Sequence, residues 1–232
     1  MTGTLYGVGV GPGDPDLLTL KAARLIDTCP VVAYPAPDSG ESFARSIVAD
    51  RLSRQREIAI VVPMRAERFP AQEVYDGAAE EIAQCLDAGE DVCVLCEGDP
   101  FFYGSFMYLF ARMSGRYETE IVPGISSLTT MAALSKRPLA ARNDVLTIVP
   151  APSDDETIRG ALRSAPAVAF IKVGRHWPRL RKLLDEEGAT DAAMFGRRLT
   201  LADEIVVPAK EAPADAPYFS MVVVYRGTEQ WA

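Results

Sequence analysis

Two short stretches carry the residues best suited to chemistry, and each contains Gly-Asp-Pro directly after an apolar run. The first is GVGPGDPDLLTL, from Gly9 to Leu20, and the second is LCEGDPFFYGS, from Leu95 to Ser105. Glycine-rich turns that follow strands commonly bind nucleotide phosphates, because their backbone N–H groups point at the anion. Phosphate binding is therefore the first chemistry to test.

Neither stretch fits a phosphate site. A P-loop needs a lysine after its last glycine, and none stands there. A dinucleotide loop needs a third glycine where this chain has Pro12 or Asp14. Pro12 has no N–H, and Asp14 and Asp99 place a carboxylate where a phosphate would bind. Acceptor carboxylates at such turns instead suit a cationic or hydroxyl-rich ligand.

The cysteines do not predict a metal site. Cys93 and Cys96 form a C-x-x-C within an apolar strand, where positions i and i+3 face opposite sides. There is no second C-x-x-C, and His176 is the only histidine, so a zinc ion would lack ligands. We interpret all four cysteines as reduced, buried thiols: Cys29, Cys85, Cys93 and Cys96.

Strand and helix patterns alternate along the chain, which predicts an α/β protein with two domains. Unalternating apolar strands in the first part indicate a mainly parallel sheet with both faces covered. A helix is predicted to follow the first strand, with Asp14 as N-cap and Pro15 as its first residue. The pattern restarts near residue 117, so we predict domains at 1–116 and 117–232, the second with a mixed sheet.

Composition narrows the functional classes. The chain has 232 residues and a net charge of −8, which argues against nucleic acid as a partner. It contains no apolar run of the roughly 18–20 residues that span a bilayer, and no basic segment precedes its first apolar stretch. We therefore expect a cytoplasmic protein without a membrane partner.

Seven motifs in register make the chain similar to the tetrapyrrole methylase family, whose members use S-adenosylmethionine to methylate the corrin precursor ring. They are GVGPGDPDLLTLKA, VVAYPAP, YDGAAEEIA, LCEGDPFFYGSFMYLF, VPGISSL, IKVGRH and YFSMVVV. EGDPFFYGSFMYL and KVGRH resemble the branch that methylates C20 of precorrin-2 on the route to cobalamin. The resemblance implies two α/β domains with the donor in the cleft between them, a homodimer and no metal.

The resemblance also implies site residues. In this family the second Gly-Asp-Pro motif helps to bind the donor, while the first, with Asp14, faces the tetrapyrrole. The residues carried over as donor contacts are Glu97, Gly98, Asp99, Tyr103, Ser126, Ser127, Lys172, Phe195 and Met221. Lys172 replaces a methionine of many relatives, so its backbone is the expected contact. Glu97 is the candidate for polar assistance to catalysis, with donor binding or a buried paired carboxylate as the alternative.

A tetrapyrrole with peripheral carboxylates calls for arginines, whose planar fork bonds carboxylates in pairs. The arginines considered are Arg45, Arg65, Arg142, Arg175, Arg197 and Arg198. Of these, Arg45, Arg175 and Arg198 join Asp14 as predicted substrate contacts. An ordinary surface charge is the alternative for each. His176 follows a strand and is expected to face solvent or to cap a helix.

Three alternatives remain at this stage. The substrate could be the cobalt form of the tetrapyrrole rather than the metal-free one. A methylase of the same fold could act on RNA or on a protein, although the acidic balance argues against RNA. A non-enzymatic ligand-binding module with a flavodoxin-like fold is the alternative from another class.

Overall fold

The computed structural model describes residues 1–62 and 70–227. Arg65, one of the arginines considered for the substrate, lies outside the described residues. The chain divides into two compact units, Met1–Ser126 and Ser127–Ala232. Each unit is built around its own five-stranded sheet.

The first unit contains a parallel sheet with strand order β3-β2-β4-β1-β5, so β4 is central. Its strands are β1 (Leu5–Gly9), β2 (Val31–Pro37), β3 (Arg56–Val62), β4 (Val92–Cys96) and β5 (Thr119–Val122). Its helices are α1 (Leu20–Thr28), α2 (Phe43–Ile47), α3 (Pro70–Asp87) and α4 (Phe106–Met113). The prediction of a parallel sheet covered on both faces is confirmed, since a separate apolar core packs on each side.

Alternation along β4 explains the C-x-x-C. Cys96 lies in the core on one face of the sheet, and Cys93 lies in the core on the other. All four cysteines are buried and free. The Sγ of Cys93 is 2.9 Å from that of Cys29, at the end of α1, so its neighbour is distant in sequence and is not Cys96.

The first predicted helix is interrupted. Asp14 does act as a cap, because its side chain accepts a hydrogen bond from the Asp16 N–H, but it caps only a 3-10 turn, Pro15–Leu17. The α-helix begins later, at Leu20, with the side chain of Thr19 accepting from the N–H of Ala22. The prediction of one continuous helix was wrong, because the 3-10 turn ends and a new helix begins after its own N-cap, Thr19.

The division between the units falls later than the boundary predicted at residues 116/117. The reason is β5, which the sequence analysis assigned to the second domain. β5 pairs in parallel with β1 and completes the first sheet at its edge. The strand therefore belongs to the first unit, and the division lies between Ser126 and Ser127.

The second unit contains the mixed sheet that was predicted, with strand order β6-β7-β10-β8-β9. Its strands are β6 (Leu146–Pro150), β7 (Ala167–Ile171), β8 (Ala193–Arg197), β9 (Ile205–Pro208) and β10 (Ser220–Tyr225). Its helices are α5 (Ser127–Ser135), α6 (Asp155–Ser164) and α7 (Trp177–Glu186). The core is centred on Trp177 and Phe195, whose ring centroids lie 4.9 Å apart. Among the described residues, no helix is both long enough and apolar enough to cross a membrane.

Candidate functional site

The two Gly-Asp-Pro loops lie side by side at one edge of the first sheet. They follow β1 and β4, which are neighbouring parallel strands paired from Leu5 with Val92 to Gly9 with Cys96. Beyond the strands the loops pair with each other. The Gly98 N–H donates to the Gly11 carbonyl oxygen at 2.8 Å, and the Gly11 N–H donates to the Gly98 oxygen at 3.2 Å. The carboxyl edge of such a sheet is where α/β proteins bind ligands.

A third loop, after β5, packs against this pair. A Cβ atom at Gly124 would overlap the Gly98 carbonyl oxygen, so only glycine allows the two backbones to approach this closely. Asp99 links the loops: its Oδ2 accepts from the Gly124 N–H at 3.1 Å, while its Oδ1 accepts from the N–H groups of Phe101 and Phe102 at 2.9 and 3.1 Å. Both oxygens of this predicted donor contact therefore bond to protein backbone.

Of the three glycines Gly11, Gly98 and Gly124, Gly98 has the Cβ position that is least obstructed by the protein. Its φ of +64° lies in the left-handed region that favours glycine. The nearest atom to a Cβ at this position would be the Ile125 carbonyl oxygen at 3.9 Å, so a Cβ would make only an ordinary van der Waals contact with the protein. The loop is thus closed toward Gly124 and open at Gly98, which fits a ligand lying directly against the backbone.

Glu97, the preceding residue, is half-buried beside the start of α2. Burial raises the pKa of its carboxyl above the ordinary value of about 4.5, and backbone N–H groups of Glu97 itself and of Ala44 oppose the rise. No ion pair with Glu97 occurs among residues 1–62 and 70–227. The group can therefore change its charge with pH or meet a cationic ligand.

Tyr103 has a strained backbone on the same loop. Its φ is +56°, which is uncommon for a residue with a side chain, and the residue is 44% exposed. The ring meets Phe102 edge to face, with centroids 5.1 Å apart. Strained residues of this kind cluster at functional sites, where the surrounding structure holds them in place.

Of the remaining predicted donor contacts, all but Ser126 belong to the second unit. Ser126 ends the first unit, and Ser127 begins α5. Lys172 follows β7 with a φ of +56°. Phe195 is fully buried in the core and Met221 is only 3% exposed, so their side chains serve packing. Their assignment as donor contacts stays a prediction.

The structure separates the predicted substrate arginines into two classes. Arg45 forms a double hydrogen bond with Glu57, at 2.5 and 2.9 Å, which raises the arginine's pKa and lowers that of the glutamate. Arg198 donates to Asp203 at 2.6 Å. By contrast, Arg175 is exposed and makes no ion pair within the described part of the chain.

His176 lies beside Arg175, at the N-cap position of α7, but its side chain makes no cap bond. The predicted helix start is therefore confirmed, and the capping role is not. The Arg175 Nε is 3.4 Å from the His176 Nε2. Burial and the charges of Arg175 and Arg179 hold the pKa of His176 below its ordinary value of about 6.5, so near pH 7 the imidazole is neutral and accepts this contact.

Sequence reasoning missed Gly11 and Gly124 as parts of the site. Both stand in short Gly-Pro or Pro-Gly turns directly after a strand, which was the available signal. It also left Arg197 undecided. The Nε of Arg197 is buried and, among the described residues, has no hydrogen-bond partner.

A family model described as Tetrapyrrole (Corrin/Porphyrin) Methylases matches residues 4–214. The chain is 35% identical over 232 residues to a precorrin-2 C(20)-methyltransferase from a Sinorhizobium species, covering 96% of this chain and 95% of that protein. It is 30% identical to a cobalt-precorrin-2 C(20)-methyltransferase of Salmonella typhimurium, covering 100% and 98%. It is also 37% identical to the cobalamin biosynthesis protein CobIJ of Mycobacterium tuberculosis, covering 97% of this chain but only 46%, about half, of that longer protein.

Solved structures share the fold. The methyltransferase CobJ superposes with a TM-score of 0.73 at 21% identity, covering 100% of this chain and 97% of CobJ. A uroporphyrin-III C-methyltransferase from Thermus thermophilus, solved in complex with S-adenyl homocysteine, gives 0.71 at 23% identity, covering 96% and 97%. At these identities the likeness establishes the two-sheet architecture.

Proposed function

We propose that this chain, which belongs to the family of tetrapyrrole (corrin/porphyrin) methylases, transfers a methyl group from S-adenosylmethionine to C20 of precorrin-2, giving precorrin-3A for cobalamin biosynthesis. Near full-length similarity to a protein named for that reaction supports the choice of substrate. The enzyme is expected to be a cytoplasmic homodimer that requires no metal, no nucleic acid and no membrane.

The observation that carries the proposal is the open backbone at Gly98, next to the half-buried carboxylate of Glu97. The methyl donor has a sulfonium and an ammonium group but no phosphate. A glycine that leaves space beside its own backbone accommodates such a ligand, and a neighbouring carboxylate favours its positive charge. Pro12, Asp14 and Asp99 make the same edge unsuitable for a phosphate.

The chemistry asks the protein mainly for alignment. The donor supplies a methyl group that its positively charged sulfur already activates. C20 of the reduced macrocycle is electron-rich, so a new carbon–carbon bond forms as the carbon–sulfur bond breaks, and a proton then leaves the ring. Holding two reactants in line accounts for about 7–11 kcal/mol of barrier reduction. No nucleophilic side chain is required.

Glu97 is the proposed catalytic residue, acting through its carboxyl group near the reacting centre. Its carboxylate stabilises the donor's positive charge before transfer, and its raised pKa makes it a better proton acceptor than an exposed carboxylate. In this proposal Gly98 contributes open space and backbone, and Tyr103 contributes a ring and a hydroxyl group. Asp99 acts indirectly, by holding the loop against Gly124.

Further donor contacts are proposed for the hydroxyl groups of Ser126 and Ser127, for the backbone of Lys172, and for Phe195 and Met221. For the substrate, Arg175 is the strongest proposed carboxylate ligand because it carries no ion pair within the described residues. Arg45 and Arg198 remain proposals. Their guanidinium groups already donate to Glu57 and Asp203, so each would have to bind the substrate carboxylate and its acidic partner together. Asp14 is proposed to face the ring from the first loop.

The experiment is incubation with methyl-labelled donor and, in separate arms, precorrin-2 and cobalt-precorrin-2, followed by mass spectrometry of the pigment. With precorrin-2 we expect the mass of the pigment to increase by the replacement of one hydrogen with one labelled methyl group. The similarity to the Salmonella protein makes the cobalt form the second candidate, and faster turnover in that arm would select it. Donor binding without methylation of either pigment would contradict the proposed reaction and favour a binding module.

A further inference from the structure

One prominent feature of the second unit has no role so far. Tyr218 and Phe219 precede β10 and are 59% and 39% exposed. Their rings meet edge to face, with centroids 5.1 Å apart and an interplanar angle of 79°. Two large exposed aromatic side chains that are adjacent and in contact form an apolar surface, and such surfaces commonly mark ligand or partner sites.

The backbone fixes this pair at one edge of the mixed sheet. The Arg198 N–H donates to the Phe219 carbonyl oxygen at 2.8 Å, and the Val173 N–H donates to the Ser220 oxygen at 3.3 Å. A Cβ at Gly174 would lie 3.4 Å from the Tyr218 Cα, so the two segments are in ordinary van der Waals contact. The segments after β7 and β8 and the segment before β10 are therefore held together around the two rings.

The same strand ends carry positive charge. Lys172 and Arg175 follow β7 and are exposed. Arg197 is the last residue of β8, and the exposed Arg198 comes directly after it. Arg197 pairs in register with Ser220, and its buried Nε is an unsatisfied donor within the described part of the chain. A buried donor of this kind costs free energy until it meets an acceptor.

We propose that Tyr218 and Phe219 form a shelf against which the apolar ring framework of the tetrapyrrole packs, while Arg175 and Arg197 bind its peripheral carboxylates. This inference rests on the proposed function, and it adds the residues that position the substrate. An apolar platform with cations along its rim complements a ligand whose centre is apolar and whose periphery is anionic. The adenine ring of the donor can also stack on an aromatic side chain, but the donor carries a single carboxylate, whereas the tetrapyrrole carries several, so two arginines beside the rings suit the tetrapyrrole better.

The test measures binding of precorrin-2, kept free of oxygen, by equilibrium dialysis in the presence of S-adenosylhomocysteine. The variants are Tyr218→Ala, Phe219→Ala and Tyr218→Phe, and calorimetry measures binding of S-adenosylhomocysteine to each. Val145→Ala is the matched control. Val145 is 63% exposed and precedes β6, which runs parallel to β7. It therefore lies at the end of the sheet where β7 begins, whereas Tyr218 and Phe219 lie at the end where β7 finishes.

We expect each alanine variant to raise the tetrapyrrole Kd about tenfold, equivalent to about 1.4 kcal/mol, with the S-adenosylhomocysteine Kd unchanged. Tyr218→Phe should bind like the wild type, because it keeps the ring. A further variant, Arg197→Gln, should weaken tetrapyrrole binding at least as much.

Unchanged tetrapyrrole binding in folded alanine variants would overturn the shelf, and so would a loss confined to S-adenosylhomocysteine, which would assign the rings to the donor. A wild-type protein that binds precorrin-2 but does not methylate it would contradict the proposed reaction and leave the shelf standing. A wild-type protein that does not bind the pigment would overturn both.

Discussion

Gly11 and Gly98 hydrogen-bond to each other through both of their backbone polar groups, although 87 residues separate them in the chain. The pairing joins Gly98, the glycine of the second Gly-Asp-Pro motif, to Gly11, which stands two residues before the glycine of the first. The loops continue the sheet for one antiparallel bridge beyond β1 and β4, and the Cβ position of Gly98 is left without a close protein contact. The loops that follow β1 and β4 are therefore joined directly through their backbones.

The first prediction concerns Gly98→Ala. A methyl group at a φ of +64° should cost about 1–2 kcal/mol of folding free energy and should also occupy the space proposed for the donor. We expect S-adenosylhomocysteine affinity to fall at least tenfold, about 1.4 kcal/mol, and Gly98→Val to lower it further. Calorimetry measures affinity, and urea unfolding measures stability.

Gly188→Ala is the control for that strain. Gly188 has a φ of +59°, nothing within 4 Å of its Cβ position, and a place after α7 in the second unit. It should lose similar stability and keep full donor affinity. Equal affinities for the two variants would show that the Gly98 backbone is not part of the donor site.

The second prediction concerns Asp99→Asn. The asparagine oxygen can still accept from Phe101 and Phe102, but its NH₂ group cannot accept from the Gly124 N–H. We expect a loss of about 1–3 kcal/mol in urea unfolding, because a half-buried donor is left unsatisfied.

Asp154→Asn is its matched control. Asp154 caps α6 by accepting from the Thr157 N–H, a task that asparagine performs about as well as aspartate. The loss there should be clearly smaller. Equal losses would mean that the link to Gly124 contributes nothing specific.

The third prediction is a pH dependence at Glu97. Because burial raises its pKa, the folded protein binds this proton more tightly than the unfolded chain does. The stabilisation from the bound proton is complete below the ordinary value of about 4.5 and is lost as pH rises through the folded pKa, with a slope of at most about 1.4 kcal/mol per pH unit.

Glu97→Gln removes this titration. The free energy of unfolding of the variant, relative to the wild type, should therefore increase as pH rises from 4 to 7, as measured by urea unfolding at several pH values. The variant should also bind S-adenosylhomocysteine while transferring methyl groups more slowly. A relative stability that stays flat or falls over this range would place the carboxyl in a different electrostatic environment.

The fourth prediction concerns the charge of the substrate. Tetrapyrrole affinity should weaken steeply with salt while donor affinity hardly moves, since the Debye length falls from about 10 Å at 0.1 M to about 3 Å at 1 M. Arg175→Ala should lower tetrapyrrole affinity about tenfold, about 1.4 kcal/mol, and flatten the salt slope. Arg175→Lys should recover only part of the loss, because lysine lacks the planar fork.

Arg163→Ala provides the control for net charge, since Arg163 lies in the last turn of α6 and pairs with Glu187. It should leave both the affinity and the salt slope unchanged. Parallel salt slopes for donor and tetrapyrrole, or equal effects of the two alanine variants, would count against carboxylate binding at Arg175.

Much of this architecture could be predicted from local patterns. Apolar runs of strand length gave both sheets, and glycine after an apolar strand located the Gly98 loop at the end of the central strand, β4. The second cap carries a local signal too, since Thr19 is a good N-cap residue directly before the apolar stripe of α1.

The remainder depends on contacts between distant segments. The parallel pairing of β5 with β1 decides the division between the units, and no local pattern specifies it. Phe195 and Met221 are buried by packing, and Arg45 is neutralised by Glu57 across two elements. A resemblance transfers a residue's position but not its surroundings, so only the structure distinguishes Arg45 from Arg175.

The most direct test of the central claim is carbon NMR of the pigment after incubation of the wild-type chain with precorrin-2 and donor carrying a ¹³C-labelled methyl group. The proposal predicts one new labelled methyl carbon, bonded to C20 of the macrocycle, and none when Gly98→Val replaces the wild type. A label at any other ring position, or an unlabelled pigment from protein that binds both ligands, would contradict it.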